Sequence, residues 1–344
     1  MKKFFFLLVI TFGILFVTNI AWIVLNLYSW ATVGIDIVLS GSEDGLLENI
    51  YYSLYFKWII FADILWIISL VIFMLQRKHF KTDPTQHFLK YNPINSPRIC
   101  VTIAAYNEQG SIEQTVKDFI KHKHVESVIV VDNKSTDDTA SLAEKCGAKV
   151  IRQDKNRGFA HSYAIGLKEA LKTDTNIIAT AEADGTNNAY DLDKMIPYLS
   201  NCDMVVGTRQ VQIFTQKGNQ NSIMHVWGNY WLAKLIQFKY FSLHHFGIIN
   251  LTDVGCLFRV IKKESLAQLT DQFMDHKTGD AIGGPAFLLY LTMRSIEKDL
   301  RIVEVPLTFN KRLGESKTRS DEKISGIKYG LIFFEIYPSL LEFK

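Results

Sequence analysis

Sulfur, an excess of either charge, and the common phosphate-loop signatures are all scarce or missing in this sequence. Its four cysteines, Cys100, Cys146, Cys202 and Cys256, form no CxxC and no metal-ligand spacing. That excludes a sulfur-ligated metal site, and the four read as reduced, mostly buried thiols of a cytosolic domain. His161, His225, His244, His245 and His276 are no better spaced for a metal. Charge nearly balances: 38 Lys and Arg stand against 35 Asp and Glu, a net of +3, and the basic residues are scattered. No nucleic-acid partner is expected from such a balance. No GxGxxG follows the first expected strand, and there is no GxxxxGK followed by Ser or Thr. A dinucleotide dehydrogenase or a P-loop nucleotide hydrolase would need one of them.

Charge is also nearly absent from two long stretches. Residues 4–28 are almost wholly apolar, interrupted by few polar residues such as Thr11, Thr18 and Asn19. Residues 58–76 repeat the pattern with Asp63 as their one acid. About twenty such residues span a bilayer as a helix. The first stretch is too long for the apolar region of a signal peptide and has no small-x-small cleavage site, so it reads as an uncleaved anchor. Asp63 is either a functional intramembrane acid or a partner of Asn19 or a hydroxyl on the first helix. Lys2 and Lys3 precede the first span, and Arg77, Lys78 and Lys81 follow the second. The intervening segment, about 29–57, carries Asp36, Glu43, Asp44 and Glu48. The positive-inside rule then places both termini and the large domain on the cytoplasmic side. Residues 1–81 are therefore expected to form a membrane anchor. A polar linker with Pro84, Pro93 and Pro97 follows over 82–97.

Beyond the linker, apolar strands alternate with amphipathic helices. Strands are expected at 98–106, 127–131, 148–152, 176–181 and 203–208. The first helix opens at Ser111, a plausible N-cap, and carries Ile112, Val116, Phe119 and Ile120 at helical spacing. A later helix holds Ala164, Gly166 and Ala170, spaced for close packing. Such alternation implies parallel strands with helices on both faces. Polar residues cluster just after the strands: Asn107 and Glu108, Asp132 and Asn133, Glu182 and Asp184, then Arg209. That edge is where open α/β sheets bind ligands.

The turn AEADGTN at 181–187 is the sharpest of these clusters. Glu182 and Asp184 stand two apart past a strand end, with no Lys or Arg close in sequence. Paired carboxylates are costly without a cation between them. The natural occupant is a hard divalent ion, Mg2+ or Mn2+, whose shell substrate phosphates would complete. A solvated loop is the alternative from this stretch alone.

Taken in order, the runs VTIAAYNE (101–108), VVDNKSTDDT (130–139), NRGFA (156–160), EAD (182–184), VVGTR (205–209), TDVGCLFR (252–259), EVP (304–306) and RLGESK (312–317) form a set. The set resembles family 2 glycosyltransferases with the GT-A fold, and among them the polyprenyl (dolichyl) phosphate mannosyl- and glucosyltransferases. The resemblance covers residues 98–320. It implies an α/β, Rossmann-like, mostly parallel open sheet behind two transmembrane helices. It also implies a UDP- or GDP-sugar donor and a polyprenyl phosphate or other lipid-linked acceptor at a membrane. Ala104, Tyr106 and Glu108 would flank the nucleoside, with Val131, Asp132 and Asn133 at the base. The family usually has Asp-Asp where this chain has Asp132-Asn133. Glu182, Ala183 and Asp184 would form the DxD-type element, with metal on Asp184, Glu182 and Thr186. The first acid of that element is usually Asp, and here it is Glu. Arg209, Arg312, Ser316 and Lys317 would meet the diphosphate or the acceptor phosphate.

Catalytic roles would fall on Asp184, Arg209 and Asp253. Asp253 is open between a base and a structural or phosphate-positioning role, because an ionised acceptor phosphate needs no strong base. The aromatic stretch 227–241 suits core packing or a membrane interface. Residues 321–344 read as an interfacial amphipathic helix with Ile324, Ile327, Leu331 and Phe334 on one stripe. No QxxRW-like run is present, which argues against a processive polysaccharide synthase. The expected activity is inverting sugar transfer to polyprenyl phosphate. The rivals are extension of a lipid-linked oligosaccharide or surface glycan, and a non-catalytic tethered scaffold, which the departures at Asn133 and Glu182 would suit.

Overall fold

The structure is a computed structural model that describes residues 2–40, 54–76, 91–219, 223–240, 250–275, 279–282 and 284–313. The chain divides into two compact units, the first built on the N-terminal helices and the second an α/β domain. The segment 41–53, the basic flank at Arg77, Lys78 and Lys81, linker residues 82–90 and the helix expected over 321–344 lie outside the described residues.

Helices α1 (Lys2–Ser40) and α2 (Leu54–Gln76) pack on each other. Within them Leu7–Tyr28 and Phe56–Phe73 are long and apolar enough to cross a membrane. Leu8 and Thr11 of α1 and Ile59, Ala62, Ser69 and Phe73 of α2 are buried, and Phe12 meets Trp66 at 6.1 Å between ring centroids. Phe16, Val17, Ile23, Val24, Ile67 and Ile68 are exposed, a surface that suits a lipid solvent better than water. Helix α1 continues past the expected end near residue 28, because residues 29–40 contain no proline and stay largely apolar. The segment between the two described helices, 41–53, is correspondingly shorter than the expected 29–57. Asn19 donates to the Leu15 carbonyl of its own helix at 2.8 Å, not to Asp63.

The second unit contains β1 (Ile99–Ala105), α3 (Ile112–Ile120), β2 (Val125–Asp132), α4 (Thr139–Lys145), β3 (Lys149–Arg152), α5 (Phe159–Ala170) and β4 (Ile177–Glu182). It continues through α6 (Asp191–Met195), β5 (Met204–Thr208), α7 (Ile223–Lys239), β6 (Arg259–Lys262), α8 (Lys263–Ala267), α9 (Phe287–Glu297) and β7 (Ile302–Pro306). Seven strands form one sheet in the order β3-β2-β1-β4-β6-β5-β7. β1 pairs parallel with β2 and β4, β2 with β3, and β5 with β7. β6 runs antiparallel between β4 and β5. The sheet is thus mostly parallel, and β6 and β7 are additions to the expected strands.

Both faces of the central strands are buried, as an apolar run such as β1 requires when helices cover the sheet on either side. Helix α3 buries Ile112, Val116 and Phe119. Ser111 precedes it, but its hydroxyl turns to Glu108 and does not cap the helix. Helix α5 packs on β1 and β2 through Gly166, where a Cβ would stand 2.0 Å from Thr102 Oγ1. Because β6 is antiparallel, the loop leading into it reaches the same edge as the carboxyl ends of β1, β2, β4, β5 and β7. The polar clusters meet on that edge.

Candidate active site

The loops after β1 and β2 lock together first. Asn107 takes a positive φ of 54°, and its Oδ1 accepts from the Thr136 amide at 2.8 Å. The Asn107 amide donates to Ser135 Oγ at 2.9 Å, and the Glu108 amide to Thr139 Oγ1 at 2.7 Å. Asp132 accepts from the Ser135 amide. The polar run 132–139 therefore shapes the turn that presents Glu108, while Ala104 and Tyr106 remain partly exposed beside it. Val131 is fully buried in the sheet. Asn133 joins a third loop: its Nδ2 donates to Asn156 Oδ1 at 2.9 Å, and its Oδ1 accepts from the Arg157 amide at 3.0 Å. A carboxylate at 133 would lose the first of those bonds, which gives the Asp-to-Asn departure a local reason.

β4 ends in the acidic turn. Thr186, fully buried, lies with its Oγ1 2.6 Å from Asp184 Oδ1 and 3.0 Å from Glu182 Oε2, and its amide donates to Asp184 Oδ1 at 3.1 Å. It braces both acids from beneath. Ala183, buried between them, turns its carbonyl to Thr115 Oγ1 at 3.3 Å. No Lys or Arg lies close to this turn in sequence, but the fold brings one to it. Arg312 arrives after β7 and places Nη1 3.2 Å from Asp184 Oδ2, and its Nη2 donates to Glu108 Oε1. The segment before and after it crosses the turn: the Asn310 amide donates to the Thr186 carbonyl at 3.0 Å, and the Leu313 amide to the Asp184 carbonyl at 2.9 Å. Gly185 permits this approach, with φ at 79° and Leu313 Cδ1 2.7 Å from where a Cβ would stand. Ser316 and Lys317 lie outside the described residues.

One more pair completes the edge. Arg209 grips Asp253 with Nε at 2.8 Å and Nη2 at 2.9 Å, and its amide adds a third bond at 3.2 Å. Asp253 is 1% exposed. Burial alone would push its carboxyl up, but Arg209 outweighs burial and holds it below the ordinary range. Burial likewise works against the Arg209 charge, and Asp253 reverses the shift upward. A carboxylate so held is a poor proton acceptor. Arg209 is correspondingly bound to an internal acid, not waiting as a lone surface cation.

Two charges that carry no role in the sequence reading, one half-buried and one fully buried, support this pair. Glu304 on β7 accepts from the Thr252 and Asp253 amides, both at 2.9 Å, and from Thr252 Oγ1 at 2.7 Å. Arg259, 0% exposed, donates to the carbonyls of Cys256 at 3.0 Å and Val254 at 3.1 Å, and to Thr292 Oγ1 at 2.8 Å. Burial lowers its guanidinium to about 10. Both shape the 252–258 loop from below. Their one sequence signal is a charge inside an apolar strand, in IVEVP and FRVI.

Charge counting bears on what this edge can hold. Arg312 serves Glu108 and Asp184 together, and Arg209 is committed to Asp253. Among the described residues, Glu182 has no ion-pair partner of its own. Burial and the adjacent Asp184 push its carboxyl up to about 7, with Arg209 offsetting part of the shift. The oxygen-only donor set of Glu182 and Asp184 fits a hard divalent ion. Among the described residues no three His, Cys, Asp or Glu side chains group for a metal, so such an ion would take most of its shell from water or a ligand.

The profile described as Glycosyl transferase family 2 matches residues 100–270. The chain is 34% identical over 136 residues to protein RfbJ of Shigella flexneri, covering 37% of this chain and 94% of that one. It is 26% identical over 229 residues to the undecaprenyl-phosphate mannosyltransferase of Micrococcus luteus, covering 64% of this chain and 87% of that protein. Two further relatives, one from Methanocaldococcus jannaschii and one from Haloferax volcanii, are matched over only about half of their length. Among solved structures, glucosyl-3-phosphoglycerate synthase of Mycobacterium tuberculosis, in complex with Mn2+, UDP-glucose and phosphoglyceric acid, is similar in fold. Its TM-score is 0.51 at 18% identity, covering 70% of this chain and 80% of that one.

Proposed function

We propose, from the premise that this chain belongs to glycosyl transferase family 2, that it moves one sugar from a UDP- or GDP-sugar to a polyprenyl phosphate at a membrane. That it is a glycosyltransferase follows from the family, its relatives and its fold. The observation that carries the finer reading is the meeting of Glu182, Asp184 and Arg312 at one sheet edge. This edge has oxygen ligands for an ion and a guanidinium for a phosphate within one turn.

The nucleoside would lie over the 104–108 turn and the loop at 131–133. Glu182 and Asp184 would hold Mg2+ or Mn2+, which, when bound, supplies Lewis-acid stabilisation to a leaving diphosphate. The mycobacterial enzyme of similar fold, bound with Mn2+ and UDP-glucose, supports that choice. Arg312 would face the diphosphate, in a bidentate geometry that suits guanidinium and phosphate. Asp253 takes Nε and Nη2 of Arg209, which leaves Nη1 for an anion. Transfer would be a direct displacement with inversion. An acceptor phosphate oxygen attacks the anomeric carbon as its bond to the diphosphate breaks. The acceptor is already ionised, so no general base is required, which agrees with Asp253 being tied to Arg209.

The lipid acceptor is favoured by the matched undecaprenyl-phosphate and polyprenol-phosphate mannosyl enzymes. Two spans in the same chain would raise the local concentration of such a lipid. Helix α7 adds support. Trp227, Tyr230, Trp231 and Phe238 are exposed on one face, while Ala233, Ile236 and Tyr240 are buried on the other. Aromatic residues of this kind suit a membrane interface.

The test uses the full chain in nanodiscs with Mn2+ or Mg2+ and a panel of labelled UDP- and GDP-sugars. Label entering the lipid phase only when polyprenyl phosphate is added would support the reading and identify the donor. Transfer to a lipid-linked oligosaccharide alone would replace the acceptor. No binding of any donor with metal present would leave a scaffold.

A further inference from the structure

The two contacts of Arg312 are unequal in what they block. Asp184 Oδ1 is held by the Thr186 hydroxyl and amide, so Oδ2 is the oxygen that meets Arg312, at 3.2 Å. Glu108 receives the other terminal nitrogen, and its own second oxygen, Oε2, is fixed by Ser111 Oγ at 3.2 Å. Both acids are buried, at 3% and 8% exposed. The backbone on either side of Arg312 is tied to the acidic turn through Asn310 and Leu313. The guanidinium therefore bridges two buried carboxylates from a fixed backbone, and only the side chain needs to move.

We infer that Arg312 stands in for the divalent ion on Asp184, and that loading the ion and handing Arg312 to the donor's diphosphate are a single exchange pivoting on Glu108. The inference rests on the metal reading of Glu182 and Asp184 above and adds an order to it. A guanidinium and a divalent cation repel, so they do not share Asp184 Oδ2. An ion arriving alone must displace Arg312 from Asp184 while Glu108 keeps hold of it. An ion arriving with a nucleoside diphosphate gives Arg312 a new anion, so nucleotide and metal bind cooperatively. Glu108 is then a positioning residue, keeping Arg312 beside the site after Asp184 lets it go.

The experiment is Mn2+ titration of the full chain in nanodiscs, with free Mn2+ followed by electron paramagnetic resonance, with and without UDP or GDP. Arg312→Gln should bind Mn2+ about tenfold more tightly than the wild type when nucleotide is absent, and most of the gain that nucleotide brings should vanish. Glu108→Gln should do the opposite and weaken Mn2+ binding, because Arg312 loses the carboxylate that draws it away from Asp184. Loss of fold would weaken both variants, so opposite signs exclude it. Arg312→Gln binding Mn2+ no more tightly than wild type overturns the exchange. So does intact nucleotide coupling in that variant, the result expected from simple charge removal. If the wild type binds no Mn2+ with or without nucleotide, the metal reading fails and this inference with it.

Discussion

Asp253 and Arg209 show how a single buried pair decides what a residue can do. Each has its charged form secured by the other, so neither exchanges protons near neutral pH. Asp253→Asn should cost about 3 kcal/mol, because it leaves a buried guanidinium without its counter-charge; a thermal melt of the variant measures it. Glu182 behaves in the opposite way. Its folded carboxyl is raised from an ordinary 4.5 to about 7, so the folded state holds a proton there that the unfolded chain has already lost. That contribution is complete below about 4.5 and disappears as pH rises through about 7. Metal-free protein should therefore lose stability across that window, and Glu182→Gln should flatten the slope when melting temperature is followed against pH in chelator. The acidic turn itself was legible, since two acids past an apolar strand stand out in any reading. Arg312 as its counter-charge was not, because the pairing joins residues whose adjacency only the sheet order creates. Asn133 was legible as a departure but not as a reason, which needed the Asn156 loop beside it.

Elements explain the rest of what the chain conceals. Helix α5 can approach β1 only because position 166 carries no side chain. Gly166→Ala would drive a methyl into Thr102 Oγ1, with an expected loss of about 1–3 kcal/mol in denaturant unfolding. The parallel half of the sheet was readable from β-branched runs alternating with amphipathic helices. Strand β6 was not: it has only four residues and is bounded by charges, Arg259 and Lys262. Its antiparallel course brings Asp253 to the ligand edge. Similarly, Glu304 inside β7 looks like an ordinary exposed charge until the Thr252 turn is seen to rest on it.

At the scale of the whole molecule, a soluble-looking α/β domain shares a chain with two helices whose apolar surfaces suit lipid. If the domain faces the cytoplasm, protease added outside intact cells should spare residues 98–313 and cut them once the membrane is opened; cleavage in intact cells would reverse the orientation. On the proposed function, the edge carrying Asp184 transfers sugar to a lipid phosphate. The most direct measurement is transfer of labelled sugar to polyprenyl phosphate by the full chain in nanodiscs, wild type beside Asp184→Ala. Lipid-phase label should depend on divalent metal and fall by about a hundredfold or more in the variant, the scale of losing a main electrostatic contact to the transition state. Undiminished transfer by Asp184→Ala, or transfer indifferent to chelator, would contradict that function.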